Sequence, residues 1–325
     1  MAASRSVAFA LLLSVALPAG AGSATEPFEM SRDGFTIQYH ARRRSATGEI
    51  FRVLSEARAA VSARLGTEAP PPVTVRFCES AQEFHESIGL RVPWYVAAVA
   101  LPEERRIAVE WDVAFPSLRQ VLAHELCHIY LHESLGPHAR AVPLWMEEAI
   151  AKHVSGEWTE SDEVVLQQAV LGGKLLGFGS IERDFPSQHR AATVAYAQSA
   201  TFLAFAEQRH GPLVLRAYLD GVRGGLGHRE ALEAATGRDL DSLEAEWKEY
   251  LRLRFRRRML ADRVDELIFS FMAVLLLVCA GVVWVRRRRW LAEQDAEEFP
   301  EELGNGPSMT GYPPRRRGRY FGPRF

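Results

Sequence analysis

Apolar and polar residues alternate along three short stretches near the start of the chain, and this pattern predicts β-strands. The stretches cover residues 34–40, 73–78 and 105–111. Between the first two, residues 48–66 carry apolar side chains at helical spacing and end in a glycine, which predicts an amphipathic helix. The first part of the chain is therefore expected to combine a small sheet with helices.

The apolar period changes from two residues to three or four at Ser117. This spacing predicts a helix over residues 118–135, ending before a Gly-Pro pair. A second helix is predicted after Pro143, and residues 156–258 are predicted to be mainly helical. A group of strands followed by a group of helices indicates the α+β fold class.

Two apolar runs in the sequence are typical of segments that insert into a membrane. Residues 1–24 combine Arg5, an apolar run and a group of small residues, an order that predicts a cleaved secretory signal peptide. An uncleaved N-terminal anchor is the alternative. Residues 267–285 contain no charge and are long enough to cross a bilayer, so we predict a transmembrane helix there.

Arginines lie on both sides of that predicted helix, so their distribution alone leaves its orientation open. A cleaved signal peptide would place residues 25–258 outside the cytoplasm and the C-terminus inside it. Residues 286–325 are then a cytoplasmic tail, which their Glu, Gly, Pro and Arg content predicts to be disordered. We expect a single-pass protein of the cell membrane whose folded domain is periplasmic or extracellular.

Charge and cysteine content argue against two classes of protein. The 39 Lys and Arg residues nearly balance the 41 Asp and Glu residues, so nucleic acid is not an expected partner. The three cysteines do not indicate a disulfide framework. Cys78 and Cys127 are expected to be buried free thiols, and Cys279 lies in the second apolar run.

Residues 121–130 read Val-Leu-Ala-His-Glu-Leu-Cys-His-Ile-Tyr and place two histidines one turn apart on a predicted helix. His124 and His128 then point the same way and can bind one Zn²⁺ ion. Glu125 lies close enough to serve as general base for metal-activated water. The alternative is a pair of solvated histidines on an ordinary helix, which would need no third ligand.

A catalytic zinc ion needs a third protein ligand. The candidates that follow the motif are His132, His138, Glu147 or Glu148, and His153. The metzincin arrangement would require Gly at position 131 and His at position 134. The chain has Leu131 and Ser134, so that arrangement is excluded.

Nineteen residues separate His128 from Glu148, which lies in the stretch Pro-Leu-Trp-Met-Glu-Glu-Ala-Ile-Ala at 143–151. With this stretch, the chain resembles the gluzincin metallopeptidases and, among them, the bacterial peptidase MA-like family. The resemblance implies a zincin-like domain with a small N-terminal sheet, an active-site helix and a mainly helical C-terminal lobe. It also implies a Zn²⁺ site formed by His124, His128 and Glu148, with Glu125 as base. The choice of Glu148 over Glu147 rests on the resemblance.

Sequence on both sides of the motif extends the resemblance. Residues 93–109 resemble the turn and edge strand that precede the metal-binding helix, and we expect the strand near 105–111 to hold a substrate backbone by strand addition. Residues 195–205 resemble a helix whose tyrosine faces the zinc ion in related aminopeptidases. Here that residue is Tyr196, and its phenol would stabilise an oxyanion.

The chain also departs from the family pattern. Ala149 replaces the usual glycine after the third ligand. Lys152 stands where thermolysin-like enzymes have an acidic residue that holds the first histidine, so such a carboxylate must come from elsewhere. The Gly-Ala-Met-Glu-Asn motif that binds a peptide terminus is missing, which favours an endopeptidase or an enzyme of narrow specificity.

The sequence therefore predicts a membrane-anchored, zinc-dependent peptidase that acts on a peptide or protein substrate. One alternative is a membrane-tethered domain that binds zinc and a partner without catalysis. Another is a metallohydrolase that acts on something other than peptides.

Overall fold

The computed structural model describes residues 27–67, 71–93, 95–111 and 117–297, with the backbone alone at 259–266 and 295–297. The predicted signal peptide, 1–24, lies outside these residues, as does most of the predicted tail. The described residues fall into two compact units, which are divided between Arg258 and Met259.

Five strands form one mixed sheet in the first unit, in the order β1-β2-β3-β5-β4. The strands are β1 Phe28–Arg32, β2 Phe35–Tyr39, β3 Val73–Cys78, β4 Ala98–Leu101 and β5 Arg106–Glu110. β2, β3 and β5 are parallel, whereas β1 and β4 are antiparallel edge strands. Asp33 and Gly34 connect β1 to β2 with φ values of 51° and 81°, as a type I′ turn requires.

The expectation that residues near 105–111 form an edge strand is wrong. β5 is hydrogen-bonded to β3 on one side and to β4 on the other, so among the described residues β4 has the free edge on this side of the sheet. Side chains alternate between the two faces of central strands and of edge strands alike. The alternation in the sequence therefore could not show which kind of strand this is.

Helices make up most of the first unit. They are α1 Thr47–Leu65, α2 Ala81–Ile88, α3 Leu118–Leu135, α4 Leu144–Ser155, α5 Glu160–Leu171, α6 His189–His210, α7 Val214–Arg223, α8 His228–Thr236 and the start of α9 Leu240–Glu297. α3 packs on α1, on α4 and against β4. A small sheet followed by helices confirms the predicted α+β class.

Aromatic packing holds α4 against the helical part of the domain. Trp145 is fully buried, with its ring centroid 4.1 Å from that of Phe178 and 5.3 Å from that of Phe202 on α6. Phe178 also contacts Trp247 of α9 at 5.3 Å. Burial of each such side chain stabilises the fold by about 1.5–3 kcal/mol, so the backbone of α4 is firmly placed.

Cys78 and Cys127 are buried and free, as predicted. Cys127 lies on α3 among the apolar side chains of the main core.

The second unit is helical as far as Glu297. The helix over Leu267–Gln294 is long and apolar enough to cross a membrane. Its most apolar 18-residue segment has a mean hydropathy of 2.7, and none of that segment is buried. This helix fits a single-pass membrane anchor by its length and composition. Residues 286–297 were expected to be disordered, but they continue the helix, since Leu, Ala, Glu and Gln are good helix formers.

Candidate metal centre and active site

α3 carries three of the predicted site residues. The Ser117 hydroxyl begins this helix by accepting a hydrogen bond from the backbone N of Gln120 at 3.4 Å. His124 and His128 lie one turn apart, and their ring centroids are separated by 5.1 Å. Both rings therefore occupy the face of α3 that is turned towards α4.

Glu148 reaches this face from α4. Its Oε2 lies 3.2 Å from Nε2 of His124, and its Oε1 lies 3.8 Å from Nε2 of His128. One nitrogen from each histidine and one Glu148 oxygen all lie within 4.8 Å of one another. The structure thus brings together the three predicted ligands, and Glu147 is not part of this group.

The donor set fits a divalent metal ion. Nε2 of His128 and Oε1 of Glu148 are buried without a hydrogen-bond partner, although buried polar atoms are nearly always satisfied. Two imidazole nitrogens and one carboxylate are ligands typical of catalytic zinc sites, which leave a further coordination position open. A zinc ion would be held by His124, His128 and Glu148.

Electrostatics at the site favour a positive charge among these ligands. Burial lowers the pKa of His128 to about 4, which keeps its imidazole neutral and able to coordinate a metal. Burial also acts to lower the pKa of His124. The carboxylates of Glu148 and Glu157 have a larger, opposite effect and raise that pKa well above its ordinary value. The two carboxylates therefore stabilise a positive charge at this position, and a divalent metal ion would supply such a charge.

Glu125 is buried beside this group, with 7% of its surface exposed. Burial raises the pKa of its carboxyl group to about 7, with an opposing contribution from His124 and a further raising one from Glu148. The backbone of Ala100 in β4 acts to lower this pKa, so the carboxyl group lies beside β4. A pKa near the working pH suits a general base, and the contact with β4 places that base next to the free edge of the sheet.

Tyr196 of α6 lies at the same site. Burial raises the pKa of its phenol well above the ordinary value, and the charges of Glu148 and Glu125 add to this effect. Its ring packs edge-on against Phe185 at 4.8 Å, and Lys152 Nζ lies 6.0 Å from its centroid. The phenol therefore remains protonated and can donate a hydrogen bond.

The remaining ligand candidates lie elsewhere. Nε2 of His153 lies 2.7 Å from Oε2 of Glu207, and His153 is outside the ligand group. Neither His132 nor His138 belongs to the group of ligand atoms found among the described residues.

Sequence reasoning missed one residue at the site, Glu157. Its Oε2 lies 3.1 Å from Nδ1 of His124, the nitrogen opposite the one that faces Glu148. Burial opposes its ionisation, but His124 and Lys152 together lower the pKa of Glu157 to about 2. The sequence showed only an acidic residue just after the glycine that ends α4. Acidic residues are common in exposed loops, so this position did not stand out.

Comparison with known protein families gives a match. The family described as the Peptidase MA superfamily matches residues 55–253, a range that includes α3, α4 and Tyr196. No curated protein matches the chain.

Proposed function

The chain belongs to the Peptidase MA superfamily, and from that premise we propose that it is a membrane-anchored zinc-dependent endopeptidase. The observation that carries this proposal is the convergence of His124, His128 and Glu148, with the Glu125 carboxylate beside them. A site that only bound zinc structurally would close the coordination sphere with protein ligands and would have no need of Glu125.

In this proposal, His124, His128 and Glu148 hold the metal and Glu125 transfers protons. A bound Zn²⁺ would polarise the substrate carbonyl and lower the pKa of water. Glu125 takes a proton from the attacking water and passes it to the amine as the C–N bond breaks. The Tyr196 hydroxyl donates a hydrogen bond to the oxygen that gains negative charge during attack.

The free edge of β4 supplies a place for the substrate backbone. Glu110 N of β5 donates to Ala97 O at 2.8 Å. In an antiparallel pair only every second residue is hydrogen-bonded to the neighbouring strand. With this register, the backbone groups of Ala98 and Ala100 face away from β5. Ala100 lies beside Glu125, and Ala98 can pair with an extended peptide. An open strand edge accepts a continuous chain, which supports an endopeptidase.

The same proposal includes a membrane topology. Residues 1–24 act as a cleaved signal peptide, 25–258 form the extracytoplasmic peptidase domain, 267–285 span the membrane and 286–325 lie in the cytoplasm. A reporter enzyme that is active only in the cytoplasm, fused after Phe325, is expected to be active. Activity only from a reporter that requires export would reverse the orientation.

The direct test of function is a mixed peptide library incubated with the full-length protein in detergent micelles. We expect internal cleavage of peptides, loss of cleavage when a zinc chelator is added, and recovery when Zn²⁺ is restored. Zinc binding without cleavage of any peptide would favour a non-catalytic binding domain or a hydrolase for another substrate. Cleavage that persists after complete removal of metal would refute the metal-dependent mechanism.

A further inference from the structure

A carboxylate beyond the end of α4 contacts the first histidine of the proposed metal site. The Nδ1 atom of His124 lies 3.1 Å from Oε2 of Glu157, while its Nε2 faces Glu148. An imidazole held by a carboxylate at one nitrogen presents the other in a defined tautomer and direction. His124 thus lies between two carboxylates, with Nδ1 on the Glu157 side and Nε2 on the Glu148 side.

The turn that ends α4 explains how Glu157 reaches α3. Gly156 adopts a left-handed conformation with φ of 68°, which reverses the chain after the helix. Glu157 N then donates to Lys152 O at 3.2 Å, and Gln120 Nε2 of α3 donates to Gly156 O at 2.8 Å. These bonds tie the turn to both helices, so the Glu157 side chain starts from a constrained backbone.

A buried lysine holds the other oxygen of Glu157. Lys152 is 6% exposed, and its Nζ lies 3.7 Å from Oε1 of Glu157 and 3.5 Å from Oδ2 of Asp162. Asp162 is itself fixed, because its Oδ2 accepts hydrogen bonds from the backbone N and the hydroxyl of Thr159, both at 2.9 Å. A buried ammonium ion requires such partners, since desolvation of an unpaired charge is costly.

We propose that Glu157 is the positioning residue for His124 and that Lys152 and Asp162 hold Glu157 in place. The inference rests on the proposed function, because it assigns the chain Asp162, Lys152, Glu157 and His124 to the support of a metal ligand. The same assignment explains why a lysine, Lys152, lies one turn after Glu148 on α4. The orienting carboxylate comes from the following turn, and the lysine connects it to α5.

The test measures zinc affinity rather than activity. The full-length protein in detergent micelles is stripped of metal and titrated with Zn²⁺ against a chromophoric chelator at fixed pH. We expect Glu157→Ala to raise the Kd for zinc by about 10–100-fold, the usual effect of losing an outer-shell partner of a ligand. Because the Glu157 side chain is 35% exposed, its truncation removes little packing.

Glu207→Ala is the matched control. Glu207 is also a carboxylate paired with a histidine, His153, at 2.7 Å, but that histidine is not in the ligand group. Its replacement is expected to leave the Kd for zinc within about twofold of wild type, inside the ordinary spread of a binding measurement. An equal loss in both variants would mean a general effect on the fold and would overturn the inference.

A double variant tests whether Lys152 acts through Glu157. Lys152→Met is expected to weaken zinc binding by itself and to add little in the Glu157→Ala background, as coupled residues do. If Lys152→Met does not fold, Asp162→Asn tests the same link. Fully additive losses would refute the connection through Glu157.

The failure of this inference is distinguishable from failure of the proposed function. Wild-type protein that binds zinc tightly, with Glu157→Ala unchanged, would overturn the inference alone. Wild-type protein that binds no zinc would overturn both.

Discussion

Replacing Glu125 by Gln is expected to lower kcat/KM for peptide cleavage by about 10²–10⁴-fold, the contribution typical of a general base. Glutamine has nearly the same shape but cannot accept the proton that leaves the attacking water. Burial raises the pKa of Glu125 to about 7, and a bound cation would lower it again, so the carboxylate is ionised near neutral pH. Zinc content, measured by atomic absorption, is expected to stay at the wild-type level because Glu125 is not a ligand.

Glu133→Gln provides the control for this experiment. Glu133 is on the same helix but is 41% exposed and pairs with Arg105 at 2.7 Å, away from the ligand group. Its replacement is expected to leave the rate of hydrolysis unchanged. Full activity in Glu125→Gln would refute the assigned base.

Tyr196→Phe separates the proposed oxyanion donor from the base. Loss of the hydroxyl removes one hydrogen bond to developing charge, for which a reduction in kcat of up to about 10²–10³-fold is typical. Zinc affinity is expected to be unchanged. The fall in activity at low pH, which follows protonation of Glu125, is also expected to be unchanged. Unaltered kcat in this variant would remove Tyr196 from the mechanism.

Replacing Glu148 by Ala is expected to abolish stable zinc binding and, with it, hydrolysis. Glu148 is fully buried and is the one carboxylate in the ligand group found among the described residues. Without it, two imidazoles remain, and the loss should exceed the roughly 10–100-fold that follows from removal of an outer-shell partner. Zinc content after gel filtration and competition with a chelator measure this loss.

The neighbouring glutamate is the control for Glu148. Burial and the charge of Glu148 raise the pKa of Glu147 to about 8, so its carboxyl group is largely protonated at pH 7. Glu147→Gln closely imitates that neutral form and is expected to bind zinc like the wild type. Zinc loss in Glu147→Gln, with retention in Glu148→Ala, would show that the third ligand was wrongly assigned.

Local pattern was enough to determine the helices that carry the site. The three- and four-residue period after Ser117 predicted α3 to its observed C-terminal end at Leu135. The same period places His124 and His128 on one face, because residues four apart on a helix are always neighbours. Pro143 likewise marked the start of α4 correctly, since proline acts on the backbone of its own segment.

The order of strands in the sheet was decided by tertiary structure. β4 is only four residues long and consists of small and apolar side chains, so the sequence offered no alternation by which to recognise it. β4 and β5 form a local antiparallel pair, but which of the two lies next to β3 depends on pairing between segments that are separated along the chain. For this reason, the predicted substrate strand was assigned to the wrong member of the pair.

Sequence by itself determined that this protein has paired helical histidines with an adjacent glutamate, an α+β domain and one apolar C-terminal helix. Only the tertiary structure decided which carboxylates meet those histidines. Glu147 and Glu148 differ by one position, about 100° around α4, and the packing of Trp145 in the core sets which of them faces α3. Glu157 reaches His124 from the turn after α4, and no local period records this contact between residues far apart in the chain.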